Sequence, residues 1–202
     1  MRAESWRFRR ALSLQGTVLD SWLREPGSLT TRCQRACRQF SVRLLSLARR
    51  RVLPDEALFA SGRSRVWVRE VVLEADALPV IFAHTILLRE RGLLGRWLKG
   101  LGNRSLGSLL FSHPGFGRLG MRFCRLDGRH PLYAPAAAWL QNGEPRPPFF
   151  WARRSMHFMG KQAVVVTEVF LPDIIRLGAS SGPDNGRLTK GRRQGIHKKR
   201  VV

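Results

Sequence analysis

The chain has 202 residues and a mass of 23.0 kDa, which fits one domain of ordinary size or at most two small ones. Hydrophobic residues make up 44% and charged residues 25%, which excludes wholesale disorder and describes a chain able to bury a core without disulfide staples. Lysine and arginine total 36 against 14 acids, a net charge of +22 that brings nucleic acid into consideration as a partner.

Residues 1–18 alternate arginine with Trp6, Phe8 and leucine without a turn signal. They read as a poorly ordered basic segment, a frayed amphipathic helix at most. The ordered domain is expected over 19–177. Ser28 is a candidate N-cap for a short helix carrying Leu29, Cys33, Ala36 and Cys37 at helical spacing. Phe40, Val42 and Leu44 then alternate with Ser41 and Arg43 as in a half-buried strand. The β-branched run Arg65 to Glu74, a turn over Ala75 to Pro79 and a return over Val80 to Leu88 form a hairpin.

Leu93 to Leu101 and Ser105 to Phe111 have helical periods, separated by Gly102-Asn103. Phe116 to Leu126 reads as a strand closed by Asp127-Gly128. His130 to Pro148 is mostly loop, with one helical turn at Ala136 to Leu140. Phe149 to Phe158 and Ala163 to Leu171 make a second hairpin, which Pro172 ends. Residues 178–202 are Gly/Ser-rich and then basic, and read as a disordered tail. Sequential hairpins without βαβ alternation give an α+β class: a single antiparallel sheet of about six strands with short helices.

No apolar run reaches the roughly 18 residues of a membrane span. The start, Met1-Arg2-Ala3-Glu4-Ser5-Trp6, lacks an apolar core followed by a small-residue cleavage site. Cys33, Cys37 and Cys124 make no disulfide framework. A cytoplasmic protein with reduced thiols is the expectation. Seven basic residues lie from Arg187 onward with no acid among them, and the rest of the chain keeps 29 basic residues against 14 acids. The excess is therefore spread along the chain, and only five of the 36 are lysine, which argues against phosphate binding as the main function. The tail is left a weak anionic-surface role at most.

Two charges stand on apolar strand faces. Arg69 shares a face with Trp67, Val71 and Leu73, where its five donors need an anion or other acceptors. Glu168 shares one with Val164, Val166 and Phe170, an environment that favours the protonated form a general acid requires. The two could form a structural ion pair with each other, or they could serve opposite ends of a ligand with an anionic end and a hydroxyl or ether. His84, beside Phe82 and Ile86, is a weaker candidate, more in keeping with a satisfied core histidine. No histidine has metal-ligand spacing with a cysteine, and no Gly-x-Ser-x-Gly occurs.

Four stretches together resemble the chorismate–pyruvate lyases of bacterial ubiquinone biosynthesis. They are Ser28-Leu29-Thr30, Trp67-Val68-Arg69-Glu70, Ser105-Leu106-Gly107 with Leu110-Phe111, and Trp151-Ala152-Arg153-Arg154-Ser155 through Thr167-Glu168-Val169-Phe170-Leu171-Pro172. The resemblance runs from about Asp20 to Pro172. It implies conversion of chorismate to 4-hydroxybenzoate and pyruvate without metal or organic cofactor, at an internal site over which helical flaps close; a monomer is the separate expectation. Arg69 matches the arginine that grips the ring carboxylate, and Glu168 matches the glutamate at the hydroxyl end. Leu29 and Leu106 match positions whose backbone N–H groups help hold the carboxylate. His84 stands where an arginine for the enolpyruvyl carboxylate is common. The alternatives are a non-catalytic module for aromatic acids and an arginine-rich binder of nucleic acid or anionic surfaces, which would place its key cations on exposed faces.

Overall fold

The computed structural model describes residues 6–8, 14, 16–112 and 115–179. The N-terminal stretch departs from the helical expectation: Arg7–Phe8 is a two-residue strand, β1. Helix α1, Val18–Leu23, starts where the Thr17 side chain accepts from the Asp20 N–H. Helix α2, Leu29–Ala36, starts at Ser28, whose hydroxyl accepts from the Thr31 N–H, as the N-cap reading required.

Strand β2 is longer than its alternation suggested. It runs Phe40–Arg51 because a bulge between Leu44 and Ser46 absorbs the break in pattern at Leu45. Strands β3, Arg65–Ala75, and β4, Leu78–Leu87, meet in a tighter turn than expected, with Asp76 and Ala77 at φ of 50° and 65°. Such paired positive values suit the twist of a two-residue hairpin, and the Asp76 carboxylate accepts from the Arg38 and Gln39 N–H groups.

Helices α3, Leu93–Gly100, and α4, Leu106–Ser112, follow. Next come β5, Gly117–Asp127, and α5, Tyr133–Ala137. Strands β6, Phe149–Met159, and β7, Gln162–Phe170, form the second hairpin. Strand β7 stops at Phe170, just ahead of Pro172, and helix α6, Ile174–Ala179, begins two residues after the proline. A 3-10 turn over Pro54–Glu56 also escaped the periodicity. The basic tail from Arg187 lies outside the described residues.

The strands make one antiparallel sheet in the order β1-β5-β6-β7-β4-β3-β2, six of them long. One face carries α1, α2 and α6, whose Trp22, Leu23, Leu29, Cys33 and Ile174 pack on Val71, Leu73, Ile81 and Phe170. On the same face Leu94 and Leu98 of α3 and Leu106 and Leu110 of α4 pack on Leu87, Val164 and Val166. The other face packs Val72, Phe82, Leu126, Phe150 and Val169 against Leu132 and Ala136. All three cysteines are free. Among the described residues no helix is long and apolar enough to cross a membrane.

Candidate active site

Strand register lays out the floor of a cavity in rows. Arg69 of β3 lies opposite Thr85 of β4, Thr85 opposite Val166 of β7, and Val166 opposite Ser155 of β6. The neighbouring row runs Val71, Ala83, Glu168, Arg153. A third places His157 of β6 opposite Arg118 of β5. Alternation turns all of these to the helix-covered face. With Leu29 and Thr30 of α2 and Ser105, Leu106 and Gly107 around the start of α4, they line one cavity.

Arg69 is 2% exposed. One terminal nitrogen, Nη2, donates to the Gly102 and Arg104 carbonyls at 2.9 and 2.8 Å, while the buried Nε–H has no hydrogen-bond partner. Among the described residues no carboxylate pairs with it. Burial pulls its pKa down to about 10, so the guanidinium stays charged at neutral pH. A buried cation held on one side by carbonyls and short of an acceptor on another suits a ligand's anion.

Glu168 does not pair with Arg69. Its Oε2 accepts from Nε of Arg153 at 2.5 Å, directly across the β6–β7 pair. The apolar strand face that suggested an isolated carboxyl thus receives a guanidinium from the neighbouring strand. Arg153 also donates to the Glu25 carbonyl at 2.8 Å, tying the site to the connection between α1 and α2.

Leu29 and Leu106 are each the first residue of a helix, where N–H groups have no partner within the helix. The two helix starts are clasped by the Thr30 and Ser105 hydroxyls at 2.6 Å. Arg69, Leu29, Leu106 and Glu168 therefore share one cavity. Arg118, Arg153, Ser155 and His157 also line it, and sequence reasoning missed all four. The Ser155 hydroxyl lies 3.1 Å from Nε2 of His157, whose pKa is pulled down to about 4 by burial and by Arg118 and Arg153. Among the described residues no cluster of His, Cys, Asp and Glu could hold a metal ion.

The chorismate lyase family profile matches residues 2–177. The chain belongs to the chorismate lyase family. The probable chorismate pyruvate-lyase of Dechloromonas aromatica is 55% identical over 179 residues, covering 88% of this chain and 99% of that protein. A probable chorismate pyruvate-lyase of Nitrosomonas europaea is 42% identical over 163 residues, 79% of this chain and 89% of that one. Among solved structures, the effector domain of PhnF from Mycobacterium smegmatis superposes with a TM-score of 0.50 at 15% identity, over 73% of this chain and 90% of that one. That last likeness is one of fold alone.

Within this lyase-family cavity His84 has no part, and its candidacy is corrected. It is 3% exposed and lies on the opposite face of the sheet, because its neighbours Ala83 and Thr85 take the cavity side. Its ring nitrogens face two carboxylates, Nε2 to Glu56 Oε1 at 3.3 Å and Nδ1 to Glu70 Oε1 at 3.0 Å. Register places Glu70, His84, Thr167 and Arg154 in one row there. Arg154 donates to Thr167 at 2.8 Å and pairs with Asp55 at 2.9 Å, and Asp55 also accepts from the Trp6 indole at 2.8 Å. Burial alone would raise the Asp55 pKa, but His130, Arg154 and Trp6 outweigh it and hold the carboxyl well below the usual range. Trp6 thereby fastens the N-terminal stretch to the back of the sheet.

Proposed function

We infer that the protein is a chorismate–pyruvate lyase, cleaving chorismate to 4-hydroxybenzoate and pyruvate. The observation that carries the reading is the buried, acid-free Arg69 in the same cavity as Glu168. A nucleic-acid binder would present its cations to solvent, whereas this one is enclosed. Supplying 4-hydroxybenzoate for ubiquinone in the cytoplasm is the physiological role we propose.

In this reading the ring carboxylate is gripped by Arg69, whose planar fork suits a carboxylate, and by the first-turn N–H groups of Leu29 and Leu106. The ring rests against Val71, Ala83, Leu110 and Val166, with its hydroxyl end towards Glu168. The reaction breaks the ether bond at C3 and removes the proton from C4. The C–H electron pair completes the aromatic ring, and the C–O pair leaves with the enolpyruvate oxygen. The enolate then takes a proton on its methylene carbon to become pyruvate. In this reading Glu168 receives the C4 proton and donates it to that carbon, so no proton is gained or lost overall. Aromatisation supplies the driving force, so the proposed reaction needs no metal or organic cofactor. What the enzyme supplies is one held conformer and one positioned carboxyl.

The test is direct. Purified protein is incubated with chorismate, 4-hydroxybenzoate is followed by chromatography, and pyruvate is measured by a coupled dehydrogenase. Equimolar appearance of both products is expected. Absence of both would overturn the reading.

A further inference from the structure

We propose that Arg118, with the Ser155–His157 pair beside it, is the subsite for the second carboxylate of the substrate, the one carried on the enolpyruvyl ether. The proposal rests on the reading of the cavity as a chorismate site.

Charge is the first argument. The cavity is lined by three guanidiniums, on Arg69, Arg118 and Arg153, against the single carboxylate of Glu168. His157 adds no charge at neutral pH, because burial and the two nearby arginines keep its imidazole unprotonated. The surplus is two positive charges. Chorismate is a dianion, and each product is a monoanion at neutral pH. One ligand carboxylate would offset only half of that surplus, whereas two match it.

Placement is the second. Arg69 stands on β3 and Arg118 on β5, with β4, β7 and β6 between them. Four strand spacings of about 4.8 Å separate their backbones, so even with both side chains leaning inward they bracket the floor of the cavity. A single carboxylate does not serve both. Arg153, between them, is committed to Glu168 and to the Glu25 carbonyl. Arg118 is anchored on the adjacent carbonyl of Pro26, which fixes the guanidinium at the cavity wall.

The third is what accompanies Arg118. His157 is directly across from it in register, and Ser155 shares its hydrogen bond with that imidazole at 3.1 Å. A neutral imidazole and a hydroxyl add oriented polar contacts for a carboxylate without adding a fourth cation. Finally, the residue that the family resemblance would assign to this carboxylate, at position 84, faces away and is locked between Glu56 and Glu70. In this chain the second anion has to be met from β5 and β6.

The experiment compares two ligands by calorimetry at pH 7. One is 4-hydroxybenzoate, with a single carboxylate. The other is 3-(1-carboxyvinyloxy)benzoate, which carries both carboxylates and is already aromatic. Arg118→Gln is expected to weaken the dicarboxylate roughly tenfold or more while moving 4-hydroxybenzoate less than about twofold. Its KM for chorismate should rise by a similar factor with kcat within about threefold. His157→Leu should follow the same pattern more weakly, and His84→Gln should leave both affinities unchanged. If Arg118→Gln does not fold, Arg118→Lys keeps the charge, loses the fork, and should still cost the dicarboxylate several-fold. Equal losses for both ligands, or a larger effect from His84→Gln, would overturn the subsite. Wild-type protein that binds both ligands selectively but leaves chorismate intact would sink the lyase reading and leave the subsite standing. Binding of neither ligand would sink both.

Discussion

Arg153 and Glu168 sit directly opposite one another on β6 and β7, with Nε 2.5 Å from Oε2 and both side chains in the cavity wall. Glu168→Gln keeps an oxygen for Arg153 and removes the carboxylate that takes up and returns the proton. The variant should bind 4-hydroxybenzoate nearly as well as wild type, with kcat lowered by roughly two to four orders of magnitude. Steady-state kinetics, product titration and a thermal melt on one preparation check this. Unchanged kcat with a stability loss of about 3–5 kcal/mol would make the pair structural only.

Arg69→Ala removes the guanidinium and strands the Gly102 and Arg104 carbonyls it now satisfies. The expected result is a drop in kcat/KM of about 100-fold or more, with 4-hydroxybenzoate affinity falling in parallel because that ligand shares the ring carboxylate. Arg69→Lys should recover only part, since a point charge does not reproduce the fork. Wild-type kcat/KM in a folded Arg69→Ala protein would remove Arg69 from the site.

Gly107 of α4 faces the start of α2 with no room for a side chain. A Cβ there would lie 2.8 Å from the Ser28 hydroxyl and 3.0 Å from the Thr30 hydroxyl, which respectively cap α2 and clasp Ser105. Gly107→Ala should displace the two helix starts from each other, costing about 1 kcal/mol through the cap and raising KM several-fold. Melting and kinetics report the two effects separately. An alanine variant with unchanged KM would show that the helix starts do not hold the ligand.

His84 carries a pH signature of its own. Burial alone would lower its pKa, but the hydrogen bond to Glu70 and the charges of Glu56 and Glu70 outweigh that and push it up to about 9. A histidine bound more tightly as the cation stabilises the fold fully below pH 6.5. That contribution is lost as pH rises from there through about 9, and amounts to on the order of 3 kcal/mol. Denaturant unfolding between pH 6 and 10 should show the decline in wild type and a flatter profile in His84→Gln. An identical slope in both would assign the decline to another group.

The sequence made half of the site visible, and the reason is alternation. One arginine among Trp67, Val71 and Leu73, and one glutamate among Val164, Val166 and Phe170, break clean apolar faces, so Arg69 and Glu168 stood out. β6 offers no such contrast. Arg153 and Arg154 are adjacent, and Ser155 and His157 follow, so both faces of the strand read as polar. Only the register against β7 decides that Arg153 enters the cavity and Arg154 the opposite side. The same alternation that singled out His84 beside Phe82 and Ile86 put it on the back of the sheet. Leu29 and Leu106 carried no chemical contrast at all, because their position at a helix start is what matters, and they entered through the family resemblance alone. The short 3-10 turn at Pro54–Glu56 lies below the length at which periodicity is readable, yet it supplies two of the acids that hold the rear row.

The cavity row and the rear row are cut from the same strands, one residue out of phase: Arg69 with Glu70, Ala83 and Thr85 with His84, Arg153 with Arg154, Glu168 with Thr167. A one-residue deletion within β7 would turn Thr167 to the ligand and press Glu168 into the apolar layer around Phe82 and Phe150, so binding chemistry and folding would fail together. Changes of length are therefore confined to connections such as 88–92 and 141–148, while within the strands only exchanges of one side chain for another preserve both faces. The sheet acts as a reading frame for the catalyst, and variation in substrate preference has to come through point substitutions on the cavity rows or through the helices laid over them.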